Sequence, residues 1–361
     1  VSSLTGRPAS PASTRTDHGR PPTLPGWSAV VPSTAEVPGL TALLRRHELA
    51  ARGRAAATER DVETSVAGER SDLREHLVLR DEAGVPRAWA TVHDRAAARV
   101  VISVVVDPDL ERAVADPIAA DLFAWAATAA SDLARGRGVV ETQMDSGSFE
   151  QDERQQAWLE AAGYALTRTW FQMSRPVTAE DPAPAAAVEP GTGLAVRSVR
   201  RGEDGMPEQT DLRTVHDVLE EAFTDHFNYH PETFDQFVTR LREDPGHRWD
   251  HWWIAEITDD EGDTGPRPAG ALVGSVALGD GTGSEGSYVE YLGVLRSARG
   301  RGAAKALLAT VIADAAERGR DRVGLEVDAD SPTGAVDLYR STGFVTSYVT
   351  QSWHRDLPVT P

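Results

Sequence analysis

The chain has no cysteine in its 361 residues, which excludes disulfides, thiolate-bound zinc and a cysteine nucleophile. No apolar run reaches the length that spans a bilayer, so a membrane-spanning protein is not expected. Basic charge is also scarce: 37 Lys and Arg face 56 Asp and Glu, a formal net charge of -19. Phosphate backbones and anionic membranes reward basic surfaces, so neither nucleic acid nor membrane is an expected partner. A neutral or cationic small substrate fits better. Residues 1–25 are rich in Ser, Thr, Pro, Arg and Gly and have no hydrophobic centre. They read as a disordered tail rather than a secretory signal, and cytoplasmic residence is the expectation.

The informative residues concentrate between Ser287 and Phe344. An alternating apolar strand runs into Arg299-Gly300-Arg301-Gly302-Ala303-Ala304, and a helix follows directly, with Leu307, Leu308, Val311, Ile312 and Ala315 at helical spacing and Gly319 as its stop. A glycine-rich junction of this kind aims unpaired N–H groups at the positive end of the helix dipole, a seat for phosphate. Gly300 and Gly302 permit φ > 0, and Arg296, Arg299 and Arg301 add cationic side chains. Such cations, gathered in an acidic protein, read as an anion seat or as solvated loop arginines. A second strand carries Val323, Leu325 and Val327 and ends in Asp328-Ala329-Asp330-Ser331-Pro332. A helix with Ala335, Val336, Leu338 and Tyr339 comes next, and Gly343-Phe344 opens a third strand. Neither the Gly-x-x-x-x-Gly-Lys-Ser/Thr loop nor the Gly-x-Gly-x-x-Gly dinucleotide fingerprint occurs here.

The segment resembles the GCN5-related N-acetyltransferase (GNAT) family, whose acetyl-CoA motif reads Gln/Arg-x-x-Gly-x-Gly/Ala. Arg299, Gly302 and Ala304 match that motif, Leu292-Gly293-Val294 the strand before it, and Leu338-Tyr339-Arg340-Ser341-Thr342-Gly343-Phe344 the closing helix and strand. The resemblance implies an α/β (α+β) fold with a mixed, mostly antiparallel sheet that splays at its centre and is flanked by helices. It also implies acetyl-CoA as acyl donor. Arg299, Gly300, Arg301, Gly302, Ala303 and Ala304 would hold the pyrophosphate, with Ser331 joining from the next loop. Pantetheine would pair along Leu292, Gly293 and Val294, where a bulge is expected to leave a main-chain N–H free for the thioester carbonyl.

The same grammar occurs twice. Leu133-Ala134-Arg135-Gly136 ends a helix as Ala316-Glu317-Arg318-Gly319 does, Glu141 to Asp145 parallels Leu325 to Asp328, and Trp158-Leu159-Glu160-Ala161-Ala162-Gly163-Tyr164 parallels Leu338 to Phe344. A Pro/Ala-rich stretch, 176–191, separates the copies. The expected organisation is a tail over 1–25, a degenerate GNAT-like domain over 26–175, the linker, and a catalytic GNAT domain over 192–357. In the first copy Asp107-Pro108-Asp109-Leu110-Glu111 stands where the second has its glycine loop, so acid replaces the phosphate seat. Tandem organisation of this kind resembles mycothiol synthase and its uncharacterised actinobacterial relatives.

Acyl transfer from a thioester to an amine needs a held donor, a polarised carbonyl, a deprotonated amine and a protonated leaving thiolate. Tyr339 is the candidate acid, the alternative being a tyrosine that packs a helix face. Glu290 is the candidate base, the alternative being a solvated strand carboxylate. Related mycothiol synthases carry a Glu where this chain has Tyr288, which favours generic amine acetylation over a cysteinyl amino-sugar. Asp225, His226, Tyr229 and Tyr288 are candidate acceptor contacts. His226 and His230, and His247 and His251, are four apart but lack the Glu of a zinc helix, so no metal is expected. Trp249, Trp252 and Trp253 read first as core and second as a stacking wall. The expected activity is acetyl-CoA-dependent N-acetyl transfer to a small-molecule primary amine by a monomer or homodimer. Mycothiol synthesis and a non-catalytic CoA sensor are the alternatives.

Overall fold

The computed structural model describes residues 25–68, 71–95, 99–178, 180–181, 193–224, 231–242, 246–258, 265–277 and 285–359. Nearly all of the expected tail, and most of the 176–191 stretch, lie outside these described residues.

Among the described residues, twelve strands form one sheet. The first half contributes β1 (Ser28–Val30), β2 (Arg74–Arg80), β3 (Pro86–Arg95), β4 (Arg99–Val106), β5 (Glu141–Phe149) and β6 (Ala165–Pro176). The second contributes β7 (Leu194–Ser198), β8 (His247–Ile257), β9 (Arg267–Ala277), β10 (Gly286–Val294), β11 (Arg322–Asp328) and β12 (Val345–Pro358). The spatial order is β1-β2-β3-β4-β5-β12-β6-β11-β10-β9-β8-β7. The last strand of each half is therefore exchanged: β12 pairs with β5, and β6 pairs with β11. The two exchanged strands also pair with each other, so the two halves share one continuous sheet rather than sitting side by side. Among the described residues, parallel pairing occurs only at β4·β5 and β10·β11, the places where each half splays.

Helices cover both faces because strand alternation puts apolar side chains on both. Against one face pack α1 (Val37–Arg52) and α2 (Glu59–Ala67) of the first half, and α5 (Gln209–Phe223) and α6 (Phe234–Arg242) of the second. Against the other pack α3 (Arg112–Arg137) and α4 (Glu153–Ala161), then α7 (Ala303–Glu317) and α8 (Ala335–Ser341). Trp252 and Trp253, adjacent on β8, point to opposite faces and join the α5 and α7 cores respectively, 0% and 3% exposed. Both are core side chains, and truncating Trp252 to Ala should cost about 3–5 kcal/mol.

Helix ends follow local chemistry. Thr58 caps α2 through a reciprocal pair with Asp61, and Asp152 caps α4 by accepting from the Gln155 N–H at 3.0 Å. Gly136 does not end α3: the helix continues to Arg137, and Gly138 takes the left-handed cap at φ 70°. A cap needs the residue that adopts αL, and two glycines lay within reach of that end. At the sheet edge the α5 carboxylate of Asp211, 1% exposed, holds Arg197 at 2.6 Å and Arg200 at 2.7 Å. Burial pushes this carboxyl up, but hydrogen bonds from Arg200 and Arg197 outweigh it and hold it well below the usual range.

Candidate active site

The site begins where β10 and β11 part. Their pairing covers only Ser287 to Val289 against Val323 to Leu325. Beyond that, β10 stays with β9 as far as Val294 opposite Gly270, while β11 stays with β6 as far as Asp328 opposite Trp170. A wedge opens between Glu290–Val294 and Glu326–Asp328, lined by backbone that has lost its neighbour. The irregularity in β10 falls between Val289 and Tyr291, so Glu290 is the extra residue. It lies earlier in the strand than the Leu292–Val294 position expected from the sequence. An inserted residue re-aims the remainder of its strand: Tyr291 lies on the α5 face against Phe223, centroids 6.2 Å apart, and its hydroxyl accepts from Arg240 at 2.7 Å. Gly293 is required for closeness here, since a Cβ would meet Leu219 and Ala222 at 2.9 Å.

At the foot of the wedge stands the glycine turn. Gly300 and Gly302 have φ of 77° and 83°, and a Cβ on either would meet nothing within 4 Å. Conformation, not space, demands glycine at both positions. Gly302 is the N-cap of α7 and no side chain caps it. The first helical bond runs from the Ala306 N–H to the Gly302 carbonyl at 3.0 Å. The first-turn N–H groups thus face outward with the helix dipole behind them. Arg296, Arg299 and Arg301 surround the turn, all three exposed, and Ala303 anchors it in the core. Ser331 sits in the loop after β11, its hydroxyl 2.9 Å from that of Thr333.

The first copy differs at this point. Asp107, 0% exposed, pairs with Arg46 at 2.6 Å and Arg87 at 3.4 Å, and it accepts from the Asp109 N–H at 3.1 Å. The main-chain donor that a phosphate would use at the approach to α3 is thus taken up by Asp107, and no glycine turn opens there.

Tyr339, on α8, is 8% exposed and packs edge-on against Phe344, with centroids 5.9 Å apart. Burial pushes its phenol up to about 12, so the hydroxyl stays protonated through the working pH range. Among the described residues that hydroxyl has no hydrogen-bond partner. Ring packing and an available O–H coexist in one side chain.

The face opposite α7 forms the floor of the wedge. Tyr288 lies over Gly324, and the Ser275 hydroxyl donates to Glu290 Oε1 at 2.6 Å. Burial, then the charges of Glu326 and Glu290, push the Tyr288 phenol up. Gln172 of β6 donates to Glu326 and also to the Thr350 hydroxyl, the latter at 3.1 Å. Burial raises the Glu326 carboxyl and the Gln172 bond only partly opposes this. The side chain is reachable by solvent although surrounded, as expected at the bottom of a cleft. Tyr348 borders the floor under the Arg52 guanidinium, 4.6 Å from its ring centroid. Tyr288 and Glu290 therefore share this floor, and the glycine turn follows where β10 ends. Asp225, His226 and Tyr229 lie outside the described residues.

Gln172, Glu326 and Tyr348 escaped sequence reasoning. Alternation along β11 does place Glu326 opposite Val323, Leu325 and Val327, a usable signal. Nothing local shows that β6, from the other copy, closes the floor. His247 and His251 form no metal pair: His251 donates from Nδ1 to Asp250 at 2.6 Å and accepts at Nε2 from Arg320 at 2.6 Å. Among the described residues no three His, Asp or Glu are placed to hold a metal ion.

A splayed mixed sheet with a glycine turn at the head of the following helix defines the acetyltransferase class of fold. Residues 212–344 match the Acetyltransferase (GNAT) family. A GNAT-family protein of Sphaerobacter thermophilus superposes with a TM-score of 0.73 at 23% identity, covering 94% of this chain and 98% of that one. A tandem GNAT protein from the clavulanic acid biosynthesis pathway gives 0.65 at 15%, covering 93% and 100%. Saccharomyces cerevisiae N-myristoyltransferase with bound myristoyl-CoA gives 0.55 at 10%, covering 92% and 79%. These likenesses establish a shared fold across both halves. No curated protein matches the sequence.

Proposed function

We propose that the protein transfers an acetyl group from acetyl-CoA directly to the primary amine of a small molecule. The observation that carries this reading is the left-handed glycine turn of Gly300 and Gly302 at the head of α7, opening onto a wedge where β10 and β11 pair over three residues only. Main-chain N–H groups from Gly300 to Ala304, helped by Arg299 and Arg301, hold the pyrophosphate, and Ser331 approaches from the opposite loop. Pantetheine lies along Leu292, Gly293 and Val294, and a main-chain N–H released at the Glu290 bulge polarises the carbonyl.

The acceptor enters from the α5 face, over Tyr288. Glu290 takes a proton from its ammonium, directly or through water, and Glu326 stands across the wedge as a second carboxylate. The free amine attacks the thioester carbon, the C–S bond breaks as the C–N bond is completed, the departing thiolate draws a proton from the Tyr339 hydroxyl, and the second proton of the attacking nitrogen returns through water to the tyrosinate. The amide product carries the acetyl group, and CoA leaves as the thiol. The first copy, residues 26–175, acts as a partner domain that closes the sheet and walls the acceptor side, with the 192–357 segment as catalytic unit. The reading includes cytoplasmic residence and a monomer or homodimer. Tyr288 in place of the mycothiol synthase Glu argues against a cysteinyl amino-sugar as acceptor.

Mass spectrometry tests the proposal. Protein incubated with acetyl-CoA and a cell extract should yield a metabolite heavier by one acetyl group, absent from reactions with the Glu290→Gln, Glu326→Gln double variant. Binding of CoA without any such product would mark a sensor instead.

A further inference from the structure

The first half contains a cavity of about 700 Å³ on the far side of the sheet from the floor of the wedge, between α3, α4 and β12. It is the counterpart of the α7–α8 cleft: the Tyr164 N–H bonds the Leu159 carbonyl at 3.0 Å as the Phe344 N–H bonds the Tyr339 carbonyl at 3.1 Å. Its head, however, has Glu111 as N-cap where the second half has Gly302, and Asp107 already accepts the Asp109 N–H and pairs with Arg46, so the outward main-chain donors that would hold a diphosphate are missing. The duplicated cleft persists without its phosphate seat.

The lining that remains has a definite chemistry. Trp158 presents an indole held in place by its Nε1–H, which donates to Asp116 at 2.8 Å, and Arg154 stacks over the ring at 5.1 Å. Phe123, 3% exposed, and Ala124 add apolar wall. Two guanidinium groups complete it. Arg112 has no hydrogen-bond or ion-pair partner among the described residues, and Arg355 donates to the Ala162 carbonyl at 2.9 Å but has no carboxylate in salt-bridge range among them. Among the lining side chains, two cations against the one Asp116 carboxylate leave one positive charge in excess, and Arg154 beside Trp158 adds to it. Volume, flat apolar wall and excess charge together favour a mid-sized ligand with one fixed anion.

We infer that this cavity is a second ligand site, which takes a flat organic monoanion such as an aromatic carboxylate. Its carboxylate meets Arg355 and Arg112, and its ring lies against Trp158.

The test is isothermal titration of the full chain with 1-naphthoate, and with 1-naphthamide as the uncharged equivalent. One naphthoate should bind saturably per chain, at least ten-fold more tightly than the amide. Arg355→Gln should weaken it at least ten-fold, and so should Ala124→Trp, which fills the cavity from an exposed helix position, while the melting-temperature shift given by CoA stays as in the parent. Absence of saturable naphthoate binding to the parent protein overturns the inference. Equal affinity for the amide, undiminished binding in either variant, or displacement of naphthoate by CoA does so as well.

Discussion

Gln172, on the last strand of the first copy, donates from Nε2 to Oε2 of Glu326, on the splayed strand of the second. The floor of the wedge is therefore a joint product of the two halves, and Glu326 is a solvent-reachable carboxylate with protein around it, held by a neutral partner. Because burial raises its pKa, ionised Glu326 opposes folding: its contribution is fully present below the unfolded value and is lost as pH rises through the folded one. Glu326→Gln should accordingly raise the melting temperature at pH 7 and leave it nearly unchanged at pH 4, while lowering turnover. Thermal melts at the two pH values check this, and a fall in stability at pH 7 would contradict the burial argument.

Tyr339 separates packing from chemistry. Tyr339→Phe keeps the ring that meets Phe344 and removes only the hydroxyl. Turnover should fall by about 100-fold, the low end of general acid catalysis. The melting temperature and the KM for acetyl-CoA should hardly move. Steady-state kinetics read the split; unchanged turnover would take Tyr339 out of the acid role.

At the paired end of β10 a buried relay sets a pH limit. Arg320 donates to His251 Nε2 and to Ser287 Oγ, the latter at 2.8 Å, so His251 must be neutral at Nε2. Burial lowers its pKa to about 4, against an opposing bond to Asp250. Between that value and the ordinary 6.5 the unfolded chain binds the proton and the folded chain does not. Stability is thus present above pH 6.5 and is lost as pH falls toward 4, by about 3 kcal/mol from this group alone. Urea denaturation at pH 7 and pH 4.5 should show the drop, and His251→Gln, which keeps an acceptor for Arg320, should flatten it.

Much of this was legible in the sequence, and the reasons are local. The run from Ser287 to Phe344 announces strand, turn and helix because each step depends on near neighbours: glycines at φ > 0, apolar residues at helical period, a stop at Gly319. The repeated Trp158–Tyr164 and Leu338–Phe344 patterns end in the same return bond to the helix. The exchange of β6 and β12 was not legible, because strand order depends on pairing between residues more than 150 positions apart, such as Gln172 and Glu326. For the same reason Gln172 and Tyr348 carried no mark of a site. The bulge at Glu290 was misplaced because alternation in Tyr288–Val294 looks unbroken until the register with Gly274 and Val273 is known.

The central claim is that the main-chain amides at the head of α7 grip the diphosphate of CoA, and thermal melting with and without CoA tests it most directly. The parent protein should melt at a higher temperature with saturating CoA. Gly302→Glu, which puts a carboxylate at that turn, should abolish the shift. Because Gly302 has φ 83°, the substitution also carries about 1–2 kcal/mol of strain, lowering the melting temperature without ligand. A CoA-induced shift as large in Gly302→Glu as in the parent would contradict the account.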